Sequence, residues 1–237
     1  MSNSYFRFKQ FTIHQDRCAM KVSTDACIQG AWVPVPDNVQ HILDIGAGTG
    51  LLSLMLAQRT AAHVQIDALE LDADAAMQAS ENIADSPWKD RVHVIAADAR
   101  TYIFDKKYQL IICNPPFFNN SLLGPDDTRN NVRHTLSLNY QELFKIISNG
   151  LDVSGTATVL LPAAEHAIWE GIVKAHGWSF SRLLQVYPKS GVAYNRVIST
   201  CCRETVDITT TEILQIYENG GYTPAFTALL KPYYLKL

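Results

Sequence analysis

From residue 41 onward the chain alternates short, almost unbroken apolar runs with longer stretches in which apolar residues recur every three or four positions. The runs "HILDI" (41–45), "VQIDALEL" (64–71), "VHVIAAD" (92–98), "YQLIICN" (108–114) and "TATVLLP" (156–162) read as strands covered on both faces, because Ile, Leu and Val follow one another without a polar alternate. Between them, "LLSLMLAQRT", "DADAAMQASENIA", "NYQELFKIISNGL" and "EHAIWEGIVKAHG" carry the apolar stripe of amphipathic helices. "SFSRLLQVY" and "NRVISTCCRE" add two further strands. Strands alternating with helices in this way predict an α/β protein with a doubly wound, mostly parallel sheet and helices on both faces. Ahead of that block, "YFRFKQFTIHQ" reads as a short strand or hairpin with a basic side, and "STDACIQGAWV" as a helix capped by Ser23, Thr24 or Asp25. No repeat, low-complexity tract or linker interrupts the pattern, so residues 1–237 are expected to form a single domain.

Composition narrows the class of protein. No apolar stretch reaches the length of a membrane span, and "MSNSYFRFKQF" lacks the apolar core of a signal peptide, so a soluble, cytoplasmic protein is expected. Five cysteines, with Cys201 and Cys202 adjacent and no C-x-x-C pair, fit neither a disulfide framework nor a zinc site; no metal is expected. The net charge of −3 excludes a surface that is basic all round and confines any nucleic-acid partner to one face.

The first strand runs into "GAGTG", where Gly46, Gly48 and Gly50 allow a sharp turn and the close approach of a ligand. The spacing departs from the G-x-G-x-x-G of dinucleotide sites. Three carboxylates sharpen the reading. Asp44, Glu70 and Asp98 end the first, second and third strands, at the carboxyl edge where open α/β sheets bind ligands. A carboxylate after the second strand suits ribose hydroxyls and one after the third an exocyclic amine, so the set fits a cationic adenosyl ligand better than a pyrophosphate.

The fourth strand ends in "NPPFF". Each proline holds the residue before it extended and carries no N–H, leaving a stiff segment rich in carbonyl acceptors. The Asn114 side-chain oxygen and the Pro115 backbone oxygen can converge on one NH₂ group, and Phe117 offers a face for stacking the ring that bears it. This is a site for an aromatic amine such as N6 of adenine.

Glycine loop, acidic strand ends and Asn-Pro-Pro-Phe together resemble the class I S-adenosylmethionine-dependent methyltransferases of exocyclic amines, with their Rossmann-like, seven-stranded sheet. The flanks "FRFKQFTIHQDRCAMKVSTDACIQGAWV", "RHTLSLNYQELF" and "YTPAFTALLKPYYL" resemble the bacterial tRNA1(Val) adenine N6-methyltransferases, and the resemblance spans essentially the whole chain. It implies S-adenosylmethionine as cofactor and methylation of the tRNA adenosine 3′ of the anticodon, adenine 37, by a monomer. It implies catalytic roles for Asn114, Pro115 and Phe117, and cofactor contacts from Lys21, Thr24, Asp25, Asp44, Gly46, Gly48, Glu70, Asp98 and Asn114, so that residues 1–40 form an extension contributing to the site. Ser23 stands where this family often has glycine. The Asn-Pro-Pro loop alone also fits a glutamine N5-methyltransferase acting on a release factor, or an rRNA guanine N2-methyltransferase. Arg7, Lys9, Arg129, Arg133, Lys189 and Arg196 are candidate phosphate contacts, and His134 a candidate substrate contact.

Overall fold

The structure, a computed structural model, describes residues 3–116 and 138–237. A hairpin of β1 (Tyr5–Arg7) and β2 (Thr12–His14) precedes helix α1 (Thr24–Trp32). There follow β3 (His41–Ile45), α2 (Leu51–Arg59), β4 (Gln65–Glu70), α3 (Ala73–Ala84), β5 (Val92–Ala96) and β6 (Tyr108–Cys113). The second half contains α4 (Tyr140–Gly150), β7 (Leu151–Pro162), α5 (Ala163–Ala175), β8 (Ser179–Lys189), β9 (Arg196–Cys202), β10 (Thr210–Glu218), β11 (Gly221–Tyr222) and α6 (Pro224–Leu230).

Local chemistry sets the helix starts. The Ser23 hydroxyl accepts from Ala26 N at 3.2 Å and caps α1, and the Asp72 carboxylate accepts from Ala75 N at 2.8 Å and caps α3. Asn139 and Glu142 form a reciprocal capping box on α4. Pro224 opens α6, where its missing N–H costs nothing.

Strands β3 to β11 form one sheet in the order β11-β10-β8-β9-β7-β6-β3-β4-β5, apart from the β1–β2 hairpin. Strands β3 to β7 run parallel to one another, and β9 is antiparallel to both β7 and β8. Seven of the strands thus make the expected Rossmann-like sheet. The expected count falls short by two, because β10 joins the edge parallel to β8 and β11 folds back on β10. Along β10 buried Leu214 and Ile216 alternate with more exposed neighbours, a weaker pattern than the continuous apolar runs inside the sheet.

Successive residues of the inner strands feed opposite cores. Ile42, Ile66, Leu110 and Ile112 join the layer formed with α1, α2 and α6, while Leu43, Ile45, Ile111 and Cys113 join the layer formed with α4 and α5. Asp44, alone among the residues of β3, brings a carboxylate into this double-sided burial. Chain order reverses between β3 and β6, and that switch point opens a crevice at the carboxyl ends of the two strands.

Candidate functional site

A cavity of about 310 Å³ occupies that crevice, at the lower end of the roughly 300–1,000 Å³ usual for small-molecule sites. Its walls come from the segments at and beyond the ends of β3, β4, β5 and β6. The turn after β3 gives Gly46 and Gly48, the end of β4 gives Leu69 and Glu70, the turn after β5 gives Asp98 and Arg100, and the end of β6 gives Cys113, Asn114 and Pro115. Cys18, Ala19 and Met20, from the segment between the hairpin and α1, close it on a further side.

Gly46 and Gly48 both have positive φ, 73° and 55°, and a Cβ at either position meets no heavy atom within 4 Å. Any other residue strains the backbone there and projects a side chain into open space. Glu70 fixes this loop. One carboxylate oxygen accepts from Gly48 N at 2.8 Å and the other from Asp72 N at 2.8 Å, leaving lone pairs on each for a ligand hydroxyl.

Asp44 does not line the cavity. Its carboxylate is fully buried and accepts from both the backbone N and the hydroxyl of Ser53, at 3.1 and 2.7 Å, in the first turn of α2. The second carboxylate oxygen has no hydrogen-bond partner among the described residues. Burial pushes its pKa up to about 7, against the opposing pull of the Ser53 bonds, and the Glu70 charge adds to the rise.

Asp98 lies two residues beyond β5 and is held by Arg100, whose backbone N, Nε and second guanidinium nitrogen donate to it at 2.7–3.0 Å. The Arg100 side-chain hydrogen bonds keep the Asp98 carboxyl below its ordinary range. Sequence reading missed Arg100, the one cationic residue among the described residues that line the cavity.

Asn114 emerges from the last residue of β6 into the cavity, and its side-chain oxygen is buried with no hydrogen-bond partner among the described residues. An unpaired buried carbonyl costs roughly 1–3 kcal/mol, so this oxygen is poised for a donor that arrives with a ligand. The backbone beneath it is fixed from α1, where fully buried Gln29 donates through Nε2 to Cys113 O at 2.9 Å and to Thr158 O at 3.3 Å. The Cys113 thiol also borders the cavity, but burial, with Asp44 and Glu70 nearby, pushes its pKa well up and keeps it protonated.

The structure therefore brings Gly46, Gly48, Glu70, Asp98, Asn114 and Pro115 together. Besides Asp44, three more expected contacts lie off the cavity wall. Lys21 is exposed and donates to Gln15 O at 3.2 Å, Thr24 is exposed at the start of α1, and Asp25 pairs with Arg196 at 2.9 Å. Phe117, Arg129, Arg133 and His134 lie outside the described residues. Of the remaining candidate phosphate contacts, Arg7 and Lys189 are exposed, and the Lys9 ammonium donates to the carbonyl of Lys231.

Residues 33–136 match the family model described as the methyltransferase small domain. The tRNA1(Val) (adenine(37)-N6)-methyltransferase of Dyadobacter fermentans is 42% identical over 238 residues, covering 99% of this chain and 98% of the relative. The enzyme of the same name from Tolumonas auensis is 43% identical, over 100% of this chain and 99% of its own. The chain belongs to this family.

Solved structures agree on the fold. A protein of Agrobacterium tumefaciens described as a predicted O-methyltransferase, 16% identical, superposes with a TM-score of 0.67 over 88% of this chain and 96% of its own. A glycopeptide N-methyltransferase complexed with S-adenosylmethionine, 13% identical, gives 0.54 over 79% and 89%. The cavity of this tRNA1(Val) (adenine(37)-N6)-methyltransferase family member fits the S-adenosylmethionine held in that last complex. Open space over the two glycines takes a ligand backbone, Glu70 retains acceptors for ribose hydroxyls, and Leu69, Leu71, Ala97 and Leu138 offer apolar surface to a base. Among the described residues there is no group of three or more His, Cys, Asp or Glu that could hold a metal, and no helix long and apolar enough to cross a membrane.

Proposed function

We propose that this chain methylates N6 of adenine 37 in tRNA1(Val), acting in the cytoplasm as a monomer and a single domain whose first 40 residues complete the site. The observation that carries the reading is the unpaired, buried side-chain oxygen of Asn114, set beside the glycine loop and Glu70 in a family of this activity.

The chemistry asked of the residues is acceptor chemistry. The N6 lone pair of adenine is delocalised into the ring, so the amine is a weak nucleophile until it pyramidalises. The Asn114 side-chain oxygen and the Pro115 carbonyl accept its two N–H groups and hold its lone pair toward the cofactor. Those hydrogen bonds strengthen as positive charge grows on nitrogen, which stabilises the transition state more than the ground state. S-adenosylmethionine supplies an electrophilic methyl group on a sulfonium. Glu70 and the glycine loop hold its ribose, and Asp98 its adenine once the carboxylate shares its lone pairs between Arg100 and the ligand. Phe117 stacks on the target base. No strong base is needed, because the methylated nitrogen is acidic and releases its proton readily, and the protonated Cys113 thiol does not compete as a nucleophile.

Transfer of labelled methyl groups from S-adenosylmethionine tests the assignment. Incorporation into tRNA1(Val) at N6 of adenine 37, with little into duplex DNA, rRNA or release factor, is the expected result. Label on a release-factor glutamine or on an rRNA guanine N2 would replace it with one of the other readings of the Asn-Pro-Pro loop.

A further inference from the structure

One buried amide outside the cavity touches two of the segments that wall it. Asn82, on α3, is 1% exposed. Its side-chain oxygen accepts from His14 N at 2.8 Å, and its Nδ2 donates to His14 O at 2.9 Å and to Thr49 O at 2.9 Å. His14 ends β2 and opens the segment that carries Cys18, Ala19 and Met20 over the cavity; Thr49 lies between Gly48 and Gly50 in the glycine loop. Gln78, one turn earlier on the same helix face and 2% exposed, accepts from Arg17 N at 3.2 Å. Ala75, a further turn back, lines the cavity itself.

Residues 15–22 have no ladder or helix of their own to fix them. Gln15 N donates to Ser4 O at 2.8 Å, and beyond it side chains hold the backbone: Gln15 accepts from Val22 N at 2.8 Å and so closes the segment at its base, Gln78 ties Arg17 to α3, and Asn82 ties the preceding His14 to the same helix. Satisfying a buried amide needs only suitable partners. Here those partners are the main chains of His14 and Thr49, each in a segment that also supplies cavity wall, so a single side chain ties the two segments together.

We propose that Asn82 is a positioning residue for cofactor binding, holding residues 14–22 and the glycine loop at the separation that S-adenosylmethionine requires. The inference rests on the reading of this cavity as the cofactor site. Loss of Asn82 leaves a smaller fraction of molecules in the binding-competent arrangement, and the apparent dissociation constant rises in inverse proportion to that fraction. Bound cofactor restores the arrangement, so turnover at saturation is preserved.

The test uses the full chain with Asn82→Ala and Gln78→Ala, with calorimetric titration of S-adenosylmethionine, amide hydrogen exchange, and kinetics on tRNA. Asn82→Ala is expected to weaken cofactor binding by about tenfold or more, with kcat at saturating cofactor within about twofold of wild type. Amides of residues 14–22 and 46–50 should exchange faster in the free protein and recover on binding. Gln78→Ala should give a smaller loss of affinity, with faster exchange confined to residues 14–22. Wild-type affinity in folded Asn82→Ala overturns the proposal, as does a loss of affinity with unchanged exchange in both segments. Should Asn82→Ala fail to fold, Gln78→Ala decides, since unchanged affinity and exchange there would remove the proposed role. A wild-type protein that binds no S-adenosylmethionine would instead refute the reading of the cavity.

Discussion

Replacing Asp44 by asparagine separates the cost of its buried charge from its use. The folded protein holds this carboxyl at a pKa of about 7, against an ordinary value of 3.8, mainly because it is fully buried. A raised pKa means that the folded state binds the proton more tightly than the unfolded chain. Stability from this group is therefore complete below about pH 4 and is lost as pH rises to 7. Each pKa unit is worth 1.36 kcal/mol, so the three-unit shift corresponds to about 4 kcal/mol above pH 7 and about 2 kcal/mol at pH 5. Asparagine keeps the shape and can still accept from Ser53, but carries no charge. Asp44→Asn should therefore be more stable than wild type by about 2 kcal/mol at pH 5 and about 4 kcal/mol at pH 8, a rise in Tm on the order of 10 °C at the higher pH. Urea unfolding at the two pH values, without cofactor, measures the difference. Parallel pH dependence in the two proteins, or a variant less stable than wild type at pH 8, would show that Asp44 is not the titrating group. The same substitution should weaken binding of cationic S-adenosylmethionine and abolish any gain in affinity between pH 6 and pH 8.

Glu70→Ala removes the acceptor of Gly48 N and should weaken cofactor binding by about tenfold or more while the protein stays folded; equal affinity by calorimetry would take Glu70 out of the site. Asn114→Ala should cost about 3 kcal/mol of barrier, roughly a hundredfold in kcat, with little change in cofactor affinity; near-normal single-turnover rates would reject the acceptor mechanism. Tyr108→Phe deletes the hydroxyl that donates to buried Asp67 at 2.7 Å, and chemical denaturation should show a loss of about 1–3 kcal/mol, with the 2.8 Å Lys106–Asp67 contact left to hold the carboxylate.

Much of this architecture was legible because it depends on neighbours in sequence. Continuous apolar runs marked β3 to β7, Ser23 was one of the three caps expected for α1, and the glycines and Glu70 fell at strand ends that any parallel sheet brings to one edge. What escaped depends on distant partners. Gln29 meets carbonyls 84 and 129 residues away, and Asn82 meets His14 across 68. In sequence each is an ordinary helical amide. Cys18, Ala19 and Met20 gave no signal either, since a segment held by other residues' side chains needs no pattern of its own. The Asp98 carboxylate was read as open to ligand, whereas its position two residues from Arg100 lets a bidentate pair form first.

The glycine loop also explains why the site suits a cation when so similar a turn elsewhere cradles phosphates. A phosphate-binding turn works by leaving backbone N–H groups free at a helix start. Here Gly46 N and Ala47 N donate to Leu69 O at 2.8 and 3.1 Å, Gly48 N to Glu70, and Gly50 N to Ala47 O at 2.8 Å. Ser53 N, in the first turn of α2, donates to Asp44. Carboxylates of the chain itself thus take the donors at Gly48 and Ser53 that a pyrophosphate would use, and they set negative charge beside the crevice. A dinucleotide would meet few free donors and like charge there. A sulfonium and an ammonium meet attraction from the same groups, and ribose hydroxyls meet the remaining lone pairs of Glu70. The departure from G-x-G-x-x-G spacing is therefore one part of a wider exchange, in which the acidic residues at positions 44 and 70 convert an anion-binding turn into one selective for a positively charged adenosyl ligand.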